Sequence, residues 1–212
     1  MTNTRTLYLS DMRPEFEPHT LQAPEVKAFG YSGDLAYEIR SRHLDGAAAI
    51  ALLDDMLAIR EVEEMIVRLR SGGYEPLQGF AYRGPTHVSI GQEGTAVGAS
   101  SVLGMSDRIS SSHRGHGDAV AKGFSAIRQM SDEQLKERAP WSKATDREGL
   151  LADALEEHVY RIIAELFGKD EGDCAGRGGG MHIGDFSTGH LGANAIVGGS
   201  VPIATGAAMA KR

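Results

Sequence analysis

The glycine-rich stretch toward the C-terminal end constrains this chain more than any other feature. It reads GRGGGMHIGDFSTGHLGANAIVGG, and nine glycines fall between Gly176 and Gly199. Glycine loses more backbone freedom on ordering than any other residue, so this density argues against a regular helix or strand. Two interpretations remain, a flexible linker and an ordered loop whose backbone comes close to a ligand or another subunit.

Large apolar side chains within and just after the stretch favour the ordered loop, because a solvated linker has no reason to carry them. They are Met181, Ile183, Phe186, Leu191, Ile196, Val197 and Val201. We expect the loop to pack against a ligand, a partner subunit and the body of the domain. We also expect it to be mobile without the ligand, which favours only the state that it contacts.

Composition and charge exclude several classes of protein. With 212 residues, 41% of them hydrophobic, the chain can bury a sizeable core. A net charge of −7 argues against a nucleic-acid partner, whose phosphates need a basic surface. A single cysteine excludes an intrachain disulfide and fits a reducing compartment. Neither a membrane-spanning run nor a signal-type segment is visible, so we predict a cytoplasmic protein without a membrane partner.

The first half of the chain predicts an arm followed by a long helix. Residues 1–43 are polar, contain three spaced prolines and show no sustained period, which predicts an arm. From Asp45 the pattern predicts an amphipathic helix that ends at the glycines after Ser71. Its solvated face would carry Glu61, Glu63 and Glu64. Its apolar stripe would carry Ile50, Leu53 and Leu57, widened by Leu52, Met56, Ile59, Met65, Ile66 and Leu69.

The rest of the chain, residues 44–212, alternates helical, extended and loop patterns, which favours an α/β class. Small residues predict a closely packed, buried helix over 92–102, and a short strand is expected over 108–111. The charged segment 124–149 predicts a surface helical excursion, and an amphipathic helix follows over 150–167.

His113 and Arg114, in a glycine-flanked loop after the predicted strand, are candidate anion ligands. A guanidinium grips phosphate through two parallel hydrogen bonds, and a neighbouring imidazole adds a donor. An exposed loop with no ligand is the alternative. Neither a dinucleotide fingerprint nor a phosphate-binding GxxxxGK[ST] loop is present. His87 and His182 stand too far from other ligands for us to predict a metal site.

Three blocks, taken together, resemble the alpha subunit of thiamine-diphosphate-dependent 2-oxo-acid dehydrogenases. They are HVSIGQEGTAVGA from His87, SSHRGHGDAVAKG from Ser111, and GRGGGMHIGDFSTGHLGANAIVGGSVPIATGAA from Gly176. The blocks stand in family order, and the resemblance covers roughly residues 53–212. The acetoin branch is nearest, judging by the tail and by a histidine instead of a tyrosine at position 113. Against this family, 124–149 looks like an insertion and 1–43 lies outside.

The resemblance implies a thiamine-diphosphate-binding fold, a parallel sheet flanked by helices, of which this chain is the N-terminal part. It implies that His113 and Arg114 hold the diphosphate and that main-chain groups of Ala195 and Val197 bond the aminopyrimidine ring. Ile196 or Val197 would press the cofactor into its bent conformation. His87 would lie near the reacting carbon, where a donor stabilises charge on the substrate oxygen. The cofactor itself performs the carbanion chemistry.

Two parts of the family's machinery are expected outside this sequence. The metal motif, Gly-Asp-Gly followed by Asn, would come after Arg212, so the Mg²⁺ ligands are expected there and the chain is expected to be incomplete. The glutamate that activates the aminopyrimidine comes from the beta subunit or a fused beta region, and Glu93 is not assigned that task.

The sequence therefore predicts the alpha component of a 2-oxo-acid or acetoin dehydrogenase. It would decarboxylate a 2-oxo acid, or cleave acetoin, and pass the acyl group to a lipoyl-bearing acyltransferase. Two alternatives stay open. One is a thiamine-diphosphate enzyme without a lipoyl acceptor, and the other is a non-catalytic structural subunit that retains the fold.

Overall fold

The computed structural model describes residues 25, 27–28, 30–72, 78–79, 82 and 87–211. Helices dominate this part of the chain, with two short strands between them. In chain order the elements are α1 (Leu35–Arg40), α2 (Gly46–Arg70), α3 (Glu93–Ser101), β1 (Ile109–Ser111), α4 (His116–Arg128), α5 (Asp132–Arg138), α6 (Arg147–Leu166), a 3₁₀ turn (Gly179–Met181), β2 (His190–Ala193) and α7 (Ser200–Ala210).

Helix α2 begins and ends where the sequence predicts. The Asp45 side chain caps its N-terminus by accepting a hydrogen bond from the Ala48 N–H at 2.7 Å. Gly72 follows its end with φ of 72°, a left-handed conformation that glycine adopts without steric cost. Both signals come from residues close to the helix ends in the sequence, so the sequence alone could predict where α2 begins and ends.

The buried face of α2 differs from the predicted stripe. Ile50, Leu53 and Leu57 are 62%, 53% and 53% exposed, so that part of the prediction is wrong. The buried residues of α2 are Asp55, Ile59, Val62, Glu63, Ile66 and Leu69, so the prediction is confirmed for Ile59, Ile66 and Leu69. Apolar residues occur on several faces of this helix, and packing against α3 and α4 decides which face is covered. Glu63, predicted to be solvated, is fully buried.

Helix α3 matches its predicted position and is buried on one face only. Ala96 and Val97 lie in the core, whereas Gly94 and Gly98 are exposed. Helix α4 packs against both α2 and α3. Gly117 on α4 allows this approach, because a Cβ there would lie 3.0 Å from the Ser89 hydroxyl and 3.4 Å from Ile59.

Strands β1 and β2 form a parallel pair. Ile109 lies opposite His190 and Ser111 opposite Ala193, with an irregularity between them. The strand predicted over 108–111 is confirmed to within one residue. Strand β2 lies inside the glycine-rich stretch, so the expectation that no strand forms there is wrong for four residues. Gly192 has φ of 118° within it, a value that glycine tolerates. The fold is therefore mixed, helix-rich α/β with a small parallel sheet.

The core has two clusters of buried apolar residues. The larger one joins α2, α3, α4 and α6 and reaches Ile183 and Ala193 beside the sheet. The smaller one joins the end of α4 to α5 and the start of α6. The two clusters are connected through Leu155, which packs partly buried against both.

Segment 124–149 has a more specific structure than a surface excursion. It contains the second half of α4, where Phe124 and Ile127 are buried, and the whole of α5. Leu135 and Ala139 are also buried, in the smaller cluster. Ser131 and Gln134 form a reciprocal capping box at the start of α5. The segment is thus part of the core, and its status as an insertion relative to the family stays a prediction.

The predicted arm, 1–43, lies largely outside the described residues. Within its described part, α1 carries no buried residue. None of the helices in the described ranges combines the length and the apolar character that crossing a bilayer requires.

Candidate functional site

Two loops meet at the carboxyl edge of the parallel pair. The loop with His113 and Arg114 follows β1, and the segment 195–197 follows β2. The loops are tied together where the strands end, because the Asn194 N–H donates to the Ser111 carbonyl at 3.2 Å. Gly115 permits this closeness, since a Cβ there would lie 2.8 Å from that of Ala193. In α/β folds, ligands bind in the crevice beyond the carboxyl ends of such strands.

The structure brings three of the predicted site residues together. The rings of His87 and His113 contact edge to face, with centroids 5.0 Å apart. The Arg114 guanidinium donates from one terminal nitrogen to the Val88 carbonyl at 2.5 Å. His87 is exposed, whereas Arg114 is half-buried. The segment that carries His87 therefore lies against the loop that carries the predicted phosphate ligand.

The surroundings of Arg114 suit an anion. Helix α4 is 13 residues long and begins at His116, so its positive end, with unsatisfied backbone N–H groups, lies next to the loop. The Nδ1 atom of His113 is buried and has no hydrogen-bond partner in the described part of the chain. A guanidinium and a helix N-terminus together can bind phosphate, and the His113 imidazole lies beside them.

The segment 195–197 presents apolar side chains to solvent. Ile196 is 73% exposed and Val197 78% exposed, so two adjacent large apolar side chains are open to a ligand. The Ile196 N–H donates to the Asn194 side chain at 2.8 Å, which fixes the turn. Across the described ranges, the main-chain groups of Ala195 and Val197 form no hydrogen bond. They are therefore available to a ligand.

The start of the glycine-rich stretch is held by Glu165 at the end of α6. This fully buried carboxylate accepts four backbone N–H groups. The donors are Cys174 at 2.8 Å, Gly176 at 3.0 Å, Gly178 at 2.7 Å and Gly179 at 3.0 Å. The stretch is thus anchored to the helix before it, which favours the ordered-loop interpretation over the linker. Sequence reasoning did not find Glu165.

Buried polar groups also underlie the strand pair. The Ser111 hydroxyl lies 2.8 Å from His190 Nε2, and burial lowers the pKa of His190 to about 4. The Lys122 ammonium donates to the Thr188 carbonyl at 2.8 Å, and burial lowers the pKa of this lysine as well. These groups fix β1, α4 and β2 relative to one another.

A cluster of buried charged residues, away from the strand pair, joins α5 and α6 to the turn that begins at Asp185. The Arg138 guanidinium lies 2.7 Å from Asp185 and 2.8 Å from His158 Nδ1. Burial by itself raises the pKa of the Asp185 carboxyl. Hydrogen bonds to the carboxylate and the positive charge of Arg138 outweigh burial and hold this pKa below its usual range. His158, Asp173 and Asp185 could together offer metal ligands. The guanidinium already supplies the cation to the buried carboxylate there, so we assign no metal site.

Glu93 is engaged elsewhere. It accepts a hydrogen bond from the Arg60 guanidinium at 2.7 Å and others from the Gly91 N–H. The bond from Arg60 is the main reason that the pKa of Glu93 falls to about 2. A carboxylate held ionised in this way is poorly suited to exchange a proton with a cofactor, which supports leaving it out of the site.

Glu63, which the sequence predicted on the solvated face of α2, is buried next to the site. Its carboxylate accepts the Ser89 N–H at 2.8 Å and lies 3.0 Å from both the Ser89 hydroxyl and His116 Nδ1. The spacing of residues along α2 could have predicted this burial. Glu63 follows Ile59 by four residues and precedes Ile66 by three, which places it on the buried face of α2.

The chain belongs to the dehydrogenase E1 component family, whose model matches residues 77–212. All of the described site residues except Glu63 lie within that match. No solved structure matches the chain.

Curated relatives agree with this family. The alpha subunit of acetoin:2,6-dichlorophenolindophenol oxidoreductase from Bacillus subtilis is 35% identical over 161 residues, which cover 76% of this chain and 36% of the relative. The same subunit from Cupriavidus necator is 32% identical over 80% of this chain and 39% of the relative. The mitochondrial alpha subunit of the pyruvate dehydrogenase E1 component from Saccharomyces cerevisiae is 28% identical over 92% of this chain and 33% of the relative. The chain thus spans well under half the length of these relatives.

Proposed function

We propose that this chain is the cofactor-binding part of the alpha component of a thiamine-diphosphate-dependent 2-oxo-acid or acetoin dehydrogenase. One observation carries the proposal. The loop with His113 and Arg114 and the segment 195–197 meet at the carboxyl edge of a parallel strand pair, and the His87 ring contacts that of His113. The family and its thiamine-diphosphate-binding fold are consistent with this arrangement.

The residues present fit the cofactor at both of its ends. Arg114 donates a hydrogen bond from one guanidinium nitrogen to the Val88 carbonyl, and its other N–H groups can donate to a diphosphate. The His113 imidazole and the N-terminus of α4 add donors beside it. At the other end, main-chain groups of Ala195 and Val197 suit the polar edge of an aminopyrimidine, and the Ile196 and Val197 side chains suit its apolar faces.

When bound, thiamine diphosphate supplies the carbanion chemistry at its thiazolium carbon. The chain's own residues would bind and orient it. His87 is exposed and can donate a hydrogen bond to a substrate oxygen on which negative charge develops. Its edge-to-face contact with His113 holds its ring near the diphosphate ligands.

Partners complete the site in this proposal. Mg²⁺ would be bound by residues that follow position 212 in the family's order, and the aminopyrimidine would be activated by a beta subunit or fused beta region. The acyl group would pass to a lipoyl-bearing acyltransferase in the cytoplasm. We refer below to the complete alpha component with its beta partner as the assembled enzyme.

A calorimetric titration with thiamine diphosphate and Mg²⁺ tests the proposal. The assembled enzyme should bind the cofactor, and Arg114→Ala should weaken binding by about 2–4 kcal/mol through loss of a charge-assisted contact. Arg128→Ala serves as the control, because this arginine pairs with Asp55 away from the site. Unchanged affinity in Arg114→Ala would refute the assignment.

An activity assay then separates the alternatives. Acetoin and 2-oxo acids are offered in turn as substrates. Each is assayed with 2,6-dichlorophenolindophenol as an artificial electron acceptor and with a lipoyl domain as the natural kind of acceptor. Turnover with the dye but never with a lipoyl domain would favour an enzyme without a lipoyl acceptor. If the enzyme shows no cofactor binding and no turnover, the result would favour a structural subunit.

A further inference from the structure

A fully buried carboxylate on α2 joins the two segments that carry the proposed site. Glu63 has no exposed surface, and Ile59 and Ile66 on the same face of α2 are at most 1% exposed. Burying a carboxylate in apolar surroundings costs several kcal/mol unless hydrogen bonds compensate. Glu63 makes three such contacts, to the Ser89 N–H, the Ser89 hydroxyl and His116 Nδ1.

These contacts reach both halves of the site. Ser89 comes two residues after His87, and His116 comes two residues after Arg114. Between them, the Val88 carbonyl accepts the Arg114 guanidinium. The Glu63 carboxylate therefore closes a ring of hydrogen bonds that fixes the His87 segment relative to the anion-binding loop.

The carboxylate also sets the proton position on His116. A carboxylate oxygen only accepts hydrogen bonds, so His116 must carry a proton on Nδ1 to donate to Glu63. The other ring nitrogen, Nε2, is buried and has no partner among the described residues. The orientation of this ring, at the first residue of α4, thus depends on Glu63.

We propose that Glu63 is a positioning residue, which through Ser89 and His116 holds His87 at the working distance from the diphosphate ligands. The proposal rests on the proposed function above. Glu63 touches neither the crevice nor the side chains that face it, so its effect is indirect. Displacing a group by about 1 Å can cost on the order of a hundredfold in rate, which is the scale expected if the ring opens.

Glu63→Gln is the test variant, because it keeps the size of the side chain and one acceptor oxygen while replacing the other oxygen by a donor. Asp55→Asn is the matched control. Asp55 lies on the same helix, is 4% exposed, and pairs with Arg128 at 2.5 and 2.6 Å, away from the site. Both variants thus remove one buried carboxylate from α2.

Three quantities are measured on the assembled enzyme: the melting temperature, the thiamine diphosphate Kd by calorimetry, and kcat. Both variants should melt at lower temperature than wild type. Glu63→Gln should in addition raise Kd and lower kcat by about tenfold or more each. Asp55→Asn should leave both within about twofold, because additivity holds for distant, independent sites.

Equal Kd and kcat in Glu63→Gln and Asp55→Asn would overturn the proposal and leave Glu63 a purely structural residue. Wild-type enzyme that binds no thiamine diphosphate would instead refute the proposed function itself. If Glu63→Gln does not fold, Ser89→Ala removes one of the three contacts and keeps the backbone donor. A several-fold rise in Kd in that variant supports the positioning role, and unchanged Kd and kcat contradict it.

Discussion

Replacing Glu165 by glutamine should loosen the start of the glycine-rich stretch. The Glu165 carboxylate is fully buried. One oxygen accepts the N–H groups of Cys174 and Gly176 at 2.8 and 3.0 Å, and the other accepts those of Gly178 and Gly179 at 2.7 and 3.0 Å. A glutamine amide keeps one accepting oxygen. Two of the four backbone donors would therefore face an NH₂ group, which is itself a donor.

The size of the effect follows from these bonds. A hydrogen bond to a charged acceptor contributes about 1.5–3 kcal/mol, so losing two gives an upper value of roughly 3–6 kcal/mol. The loop can shift and admit water, which reduces the cost. We expect the free energy of unfolding to fall by about 2–4 kcal/mol, with faster amide exchange concentrated at 174–179.

Urea unfolding and hydrogen exchange on the purified protein measure both effects. Glu171→Gln is the control, because Glu171 lies in the same connection after α6 and is exposed. It should change the free energy of unfolding by less than about 0.5 kcal/mol. If Glu165→Gln behaves like this control, with unchanged exchange at 174–179, the carboxylate is not the anchor of the stretch.

Three further outcomes are expected. His87→Ala in the assembled enzyme should lower kcat about 10²-fold with little change in cofactor affinity; activity lost only in proportion to soluble protein would mean a structural role. Burial lowers the pKa of His190 to about 4, so the unfolded chain, with a pKa near 6.5, binds a proton first as pH falls. Stability should therefore decrease by up to about 3 kcal/mol between pH 6.5 and 4, and His190→Gln should flatten that slope in urea titrations. Amide exchange at 195–197 should slow when thiamine diphosphate and Mg²⁺ bind, and equal exchange with and without them would contradict a contact with the cofactor.

Helix positions were largely readable from the sequence, and helix faces were not. The start of α2 depends on Asp45 and its end on the glycine at 72, and both signals act within a few residues. Which face of α2 is buried depends instead on α3 and α4, which pack against it. Ile50, Leu53 and Leu57 were therefore assigned to the buried face wrongly, although the helix itself was placed correctly and its later apolar residues are buried.

The site was predictable to the extent that its residues lie in recognisable motifs. His87, His113 and Arg114 were chosen from their blocks, and the structure brings them together. Their proposed roles remain to be tested. The segment 124–149 shows the opposite case, because its charged composition hid apolar residues such as Leu135 that only the packing of α5 on α6 buries.

By itself, the sequence determined the positions of α2, α3 and α6 to within a few residues, the α/β class, and the motif blocks that place the chain in its family. Each of these depends on residues close together along the chain. Only the tertiary structure decided that Glu63 and Glu165 are buried, because a carboxylate leaves water only where folding brings donors to it. For Glu63 those donors lie 26 and 53 positions away. In the local sequence, only its spacing from Ile59 and Ile66 distinguishes Glu63 from its solvated neighbours at 61 and 64, and that spacing does not show which donors folding brings to it.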